Sequence, residues 1–116
     1  IYTTMEKFQF WTGEILHSVD VNEIIYLQVE GRKTKLVLVE GTPMFFGMTL
    51  TDCMQHLPAN DFFPINRATI IGLRRMTQLA HIEGSRAKVL MIDGETFEVS
   101  RRRKRELLEV FKKMTN

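Results

Sequence analysis

Apolar residues along this chain come in short blocks closed by glycine-containing turns, a pattern that predicts strands more often than helices. "EIIYLQV" (residues 23–29) ends at Gly31, "TKLVLVEG" (34–41) ends at Gly41, and "PMFFGM" (43–48) follows at once. The turns "EGRK" and "EGT" between these runs read as hairpins. "DFFPI", "ATIIGL" and "MTQLAHI" are again strand-like, and "AKVLMI" and "ETFEVS" flank Asp93 and Gly94, a strong hairpin signal. Near the amino end, "KFQFWTGEILHSV" holds a further strand or two, with Phe8 and Phe10 alternating onto one face.

Helical spacing occurs twice. In "TLTDCMQHLP", Leu50, Cys53, Met54 and Leu57 share a face, Thr51 is the predicted cap and Pro58 the stop. From Ser100 onward, Leu107, Leu108, Phe111 and Met114 form one apolar stripe. The predicted fold is therefore mostly β: antiparallel hairpins, with one short internal helix and one C-terminal helix.

A chain of 116 residues with no repeat or linker is read as a single domain, residues 1–116. Its one cysteine, Cys53, rules out an intrachain disulfide, fits a reducing, cytoplasmic setting, and reads as a core residue on its helix face. No apolar run approaches the ~20 residues that span a membrane, and no signal peptide is visible. Because the chain starts at Ile1 and not at Met, it is read as a fragment, with an upstream region expected before it. The net charge of +2 hides an asymmetry. Four Lys/Arg face seven Asp/Glu up to Pro58, and twelve face seven from Ala59 onward, which favours a polyanionic partner for the second half.

The densest cations open the C-terminal helix, in "VSRRRKREL". Ser100 is placed to cap it, its hydroxyl facing the N–H of Arg102 or Arg103. Arg101, Arg102 and Arg103 then fill a first turn that has no acid before Glu106, and each cation there opposes the helix dipole by ~0.3–1 kcal/mol at low salt. A bound phosphate reverses that cost, because N–H groups, dipole and guanidinium groups all favour it. The plainer alternative is a solvated basic face, with Arg105 beside Glu109 at i+4. Two other segments are basic. "EGRKTK" sets Arg32, Lys33 and Lys35 on a hairpin tip, or simply in a polar loop. "INRATIIGLRRM" sets Arg67 before an apolar strand and Arg74 and Arg75 after it, which also suits an edge strand guarded by charge. Three basic segments at strand ends favour a nucleic-acid surface more than any one of them does.

Other chemistry finds no constellation. His17, His56 and His81 are scattered, with no ligand partner at metal spacing. There is no phosphate-cradling glycine loop, nucleophile elbow or pair of carboxylates. No enzyme activity, metal, cofactor or small-molecule substrate is expected. Phe8, Phe10 and Trp11 are read as core or interface packing rather than as base-stacking rings.

The order of these segments, "EIIYLQVEGRKTKLVLVEG", a helix ending "HLP", "DFFPINRATI", a "DG" hairpin and then "VSRRRKRELL", resembles the LytTR-type DNA-binding domain. The resemblance runs from about Val19 to Phe111. It implies an elongated body of antiparallel sheets that serves as the output domain of a bacterial transcription regulator, often in a two-component system. The partner it implies is double-stranded promoter DNA, with loops entering successive major grooves and two copies on repeated half-sites. A receiver domain or membrane segment is then the expected upstream region. Matched position by position, the contacts implied are Lys33 with Arg32 and Lys35, Arg67 with Asn66, and Arg102 with Arg101 and Arg103. The chain departs from the family's usual Arg, His, Ser and Asn at Pro64, Asn66, Ala68 and Gly72, which bears on which bases are preferred. The alternatives are a basic protein- or membrane-interaction module, or a binder of single-stranded nucleic acid; the latter normally needs aromatic rings among its cations.

Overall fold

The computed structural model describes residues 6–84 and 86–114. Its chain runs through β1 (Lys7–Thr12), β2 (Ile15–Asp20), β3 (Ile24–Glu30), β4 (Lys33–Leu38), β5 (Met44–Phe46), α1 (Leu50–Gln55), β6 (Phe62–Asn66), β7 (Thr69–Gly72), β8 (Met76–His81), β9 (Ala87–Met91), β10 (Thr96–Val99) and α2 (Arg101–Met114). Single 3₁₀ turns precede β3 and β8. The mostly antiparallel β architecture with two helices is the one the apolar pattern predicts.

In β3, four consecutive residues, Ile24 to Leu27, are buried, and all of β7 is buried. A strand with one wet face would alternate instead. The reason is a five-stranded antiparallel sheet, in the order β5-β4-β3-β7-β6, that is covered on both sides. Leu27, Leu36 and Ile70 point to one face, where Phe8 and Phe10 of the β1–β2 hairpin and Cys53 of α1 pack on them. Tyr26 and Ile71 point to the other face, toward Val89, Met91 and Val99 of a three-stranded sheet (β10-β9-β8) and Leu107 of α2. Each fully buried Leu, Ile or Phe contributes ~1.5–3 kcal/mol, so both covering layers are held by ordinary apolar burial. The body measures 47 × 42 × 24 Å.

Several local details differ from the sequence reading. Phe8 and Phe10 are core, with Phe10 stacked on Phe46 at 4.3 Å, but Trp11 falls on the opposite face of β1 and is 61% exposed. Thr49, not Thr51, caps α1: its backbone is extended and its hydroxyl accepts the Asp52 N–H at 3.1 Å. The β9–β10 loop is longer than a two-residue turn. Met91 exchanges backbone bonds with Gly94 and Glu95, so the loop has three residues with Gly94 last, the arrangement of a type I turn followed by a bulge. In α2, Leu107 is buried while Met114, at the end of the predicted stripe, is exposed. β7 is not an edge strand: it pairs with β3 and β6, and β6 takes the edge. A proline on that edge, Pro64, costs no central ladder bond.

Gly72 has a steric cause. A Cβ there would lie 2.6 Å from the Ile24 carbonyl and 3.3 Å from that of Ile25, both backbone atoms. Gly72→Ala is therefore expected to destabilise the domain by ~1–3 kcal/mol, the usual cost of overpacking, read as a lower midpoint in chemical denaturation. An unchanged midpoint would show that β3 and β7 separate freely at this point.

Candidate nucleic-acid interface

Three basic segments reach one end of the central sheet. The first is the β3–β4 turn. Glu30 pairs with Lys33, leaving a two-residue loop in which Gly31 has φ +63° and Arg32 does not share that sign. Glycine at the first central position is what a type II′ hairpin turn requires. Arg32 and Lys33 are exposed, whereas Lys35 lies within β4 and is half-buried.

The second segment is the β6–β7 turn at Arg67 and Ala68. The pairing slips between Pro64 and Asn66, a bulge at the end of β6. Asn66 Oδ1 then accepts the Ala68 N–H at 2.8 Å, closing an Asx turn around Arg67. The Ala68 carbonyl accepts the Val29 N–H at 2.8 Å, which ties this turn to the strand that leads into the first one. Arg74 and Arg75 stand at the far end of β7, not here. Arg74 pairs with Asp61 at 3.5 Å, and Arg75 donates from Nε and Nη2 to the Asn22 carbonyl.

The third segment is the start of α2. The Ser100 carbonyl, rather than its hydroxyl, receives the N–H groups of Arg103 and Lys104. The junction is fastened to the edge of β6 by three bonds: Ser100 N–H to the Ile65 carbonyl at 2.9 Å, Arg103 Nε to the Pro64 carbonyl at 2.8 Å, and Asn66 Nδ2 to the Glu98 carbonyl at 2.8 Å. These bonds also cover an edge that would otherwise be open.

The five cations of α2 separate by environment. Arg103 turns inward: its guanidinium lies 4.7 Å from the Phe63 ring centroid and 3.8 Å from Glu106, and its side chain is only 28% exposed. Lys104 is half-buried. Arg101 and Arg102 are exposed and take no hydrogen bond or ion pair among the described residues. Arg105 is exposed as well, and no ion pair joins it to Glu109. Nearby, Arg86 grips Glu98 through Nε and Nη2 at 2.9 and 3.2 Å. That grip holds the Glu98 carboxyl below its usual range, with a smaller pull from Arg101. Glu98, in the strand that leads into the helix, is thus already paired.

Arg67 joins the three segments. It borders a hollow with Arg32 and Lys33 on one side and a second hollow with Arg102 and Arg103 on the other. No aromatic side chain lines either one. The result is a continuous basic strip.

A model of the LytTr DNA-binding domain family matches residues 14–112. The chain belongs to the LytTR family of DNA-binding domains. The solved LytTr DNA-binding domain of a protein described as a methyl-accepting/DNA response regulator, from Bacillus cereus, shares its fold. The TM-score is 0.78 at 18% identity, over 92% of this chain and 97% of that one. Among curated proteins no sequence relative matches.

For this LytTR domain, the sequence located the basic segments but not their supports. Phe63, the Pro64 carbonyl and the Glu98 carbonyl hold the site, and they meet their partners across 32 to 40 residues of chain. Only the proline in an otherwise apolar strand hinted at an edge that something else could cover. Cys53 is buried, and burial, with Asp52 as a lesser cause, pushes its thiol up to about 12, far from a reactive thiolate. Among the described residues no cluster of His, Cys, Asp and Glu could hold a metal, and no helix is long and apolar enough to cross a membrane.

The two arginines that neighbour each other in sequence should differ in stability. Arg103→Ala removes a cation–π contact and a charged hydrogen bond, and is expected to cost ~1–3 kcal/mol. Arg102→Ala, with no internal partner, should fall within ~0.5 kcal/mol of the parent. Thermal unfolding of the two variants side by side checks this, and equal losses would contradict the division.

Proposed function

We propose that this domain is the DNA-reading output domain of a bacterial response regulator, binding double-stranded promoter DNA in the cytoplasm. The observation that carries this reading is the continuity of the basic strip through Arg67. Two hairpin turns and a helix start offer cations to one surface, as contact with successive stretches of a duplex requires. Family membership and the fold shared with the Bacillus cereus response-regulator domain support it. The lack of aromatic rings between the cations favours a duplex over single-stranded nucleic acid.

On this reading Arg67 and Arg102, exposed and unpartnered, each read guanine through O6 and N7 in the major groove. Arg32, Lys33 and Arg101 hold phosphates and set the register. The free N–H groups of the first turn of α2 can add to a phosphate contact. Lys35, half-buried in β4, contributes at most from the margin, and Arg103 contributes through the position it gives α2. Two copies on repeated half-sites would double this footprint.

A titration of duplex DNA at several salt concentrations tests the reading. Neutralising ~3 phosphates per domain predicts a log–log slope near −3, whereas a flat plot would overturn it. On the preferred site, Arg67→Ala and Arg102→Ala should each lose ~1–3 kcal/mol and relax the preference at one base pair. Lys33→Ala should weaken all duplexes alike and reduce the slope by about one.

A further inference from the structure

Asn66 stands among the basic residues, and its carboxamide could in principle read adenine, donating to N7 and accepting from N6. Its oxygen and its nitrogen each already hold one backbone partner, which sets the plane of the amide. Oδ1 accepts from the Ala68 N–H and Nδ2 donates to the Glu98 carbonyl, both at 2.8 Å. Reversing the amide would set NH₂ against an N–H and oxygen against a carbonyl, so the partners fix the orientation. One planar group thus grips the turn that carries Arg67 and, at the same time, the strand that leads to Arg102. Arg67, Arg102 and Asn66 border the same hollow.

We propose that Asn66 is a positioning residue that sets the spacing and aim of Arg67 relative to Arg102, and so couples the two reading positions, without itself touching a base. The proposal rests on the DNA reading given above. The bonds from Ser100 to Ile65 and from Arg103 to Pro64 hold the two backbones together independently of it. Removing the Asn66 side chain therefore frees the Arg67 turn and the end of β10 while leaving the seam closed. An acid at this position would keep the Ala68 bond but would face the Glu98 carbonyl with oxygen against oxygen.

The test compares base preferences. The preferred duplex is first selected from a random pool with the parent domain. Single-base variants of it are then measured with the parent, Arg67→Ala, Arg102→Ala and Asn66→Ala. Asn66→Ala is expected to flatten preference at both base pairs that the two arginine variants lose, with a drop on the order of tenfold on the preferred duplex. Its affinity for non-cognate duplex and its salt slope should be unchanged. Asn66→Asp should keep the preference that depends on Arg67 and weaken the one that depends on Arg102. Amide exchange adds a readout free of DNA: the Ala68 N–H should be protected in the parent and exposed in Asn66→Ala.

Flattening at one new base pair would make Asn66 a direct reader and overturn the proposal. A uniform loss on every sequence, an unaltered preference, or an unprotected Ala68 amide in the parent would overturn it as well. A parent that shows no preference among duplexes would remove the DNA reading and this inference together. A selective parent beside an unaltered Asn66→Ala would remove the inference alone.

Discussion

A sheet that is dry on both faces has no flank on which to carry charge. With Leu27, Leu36 and Ile70 facing one layer and Tyr26 and Ile71 facing the other, the cations lie at strand ends and on covering elements, apart from the half-buried Lys35 of β4. The antiparallel pairing of β3 with β4 and β7 then puts the Gly31 turn and the Arg67 turn at the same end. The Val29–Ala68 bond fixes their mutual height. The basic strip is in this sense a product of core burial. The same burial explains why β3 and β7 read as unbroken apolar runs.

The bulge at the end of β6 supplies the second half of the arrangement. Carbonyls at Pro64 and Ile65 both accept from the segment that follows β10. Helix α2 is thereby registered against the central sheet by one backbone bond, from Ser100, and one from the inward-turned Arg103 side chain. A pre-set array of this kind spends little conformational entropy when it docks. It also settles the apparent conflict at the helix start. Arg103, which would add to the repulsion in the first turn, is turned onto Phe63 and toward Glu106.

What the sequence revealed was local. Hairpins marked by glycine turns, the capped short helix and the apolar stripe of α2 all depend on neighbours within a few residues, and they were legible to within a turn. The slip from Thr51 to Thr49 as the cap is of that size. Strand order was not legible. "TIIG" between arginines fits an edge guarded by charge as well as a buried strand, and only the pairing with β3 and β6 decides between them. Nor could five adjacent cations be told apart by type or spacing. Arg103 differs from Arg102 because Phe63 and Pro64 lie beneath it, and nothing within its own helix announces that. Asn66 was visible as a departure from the family pattern, and its bond to Ala68 is local, but its bond to Glu98 exists only after β6 has met β10.

Trp11 gives the molecule an optical property. It is the chain's only tryptophan. It stands across from Leu16 on the outer side of the β1–β2 hairpin, beside Gly47 and Met48. Those two residues also border the hollow that holds Arg32 and Lys33. Its fluorescence is therefore that of a hydrated indole at the margin of the basic strip, not of a core ring. Emission from this domain reports on the seating of the hairpin and on what approaches its neighbouring groove, while the state of the two apolar layers must be followed by other signals.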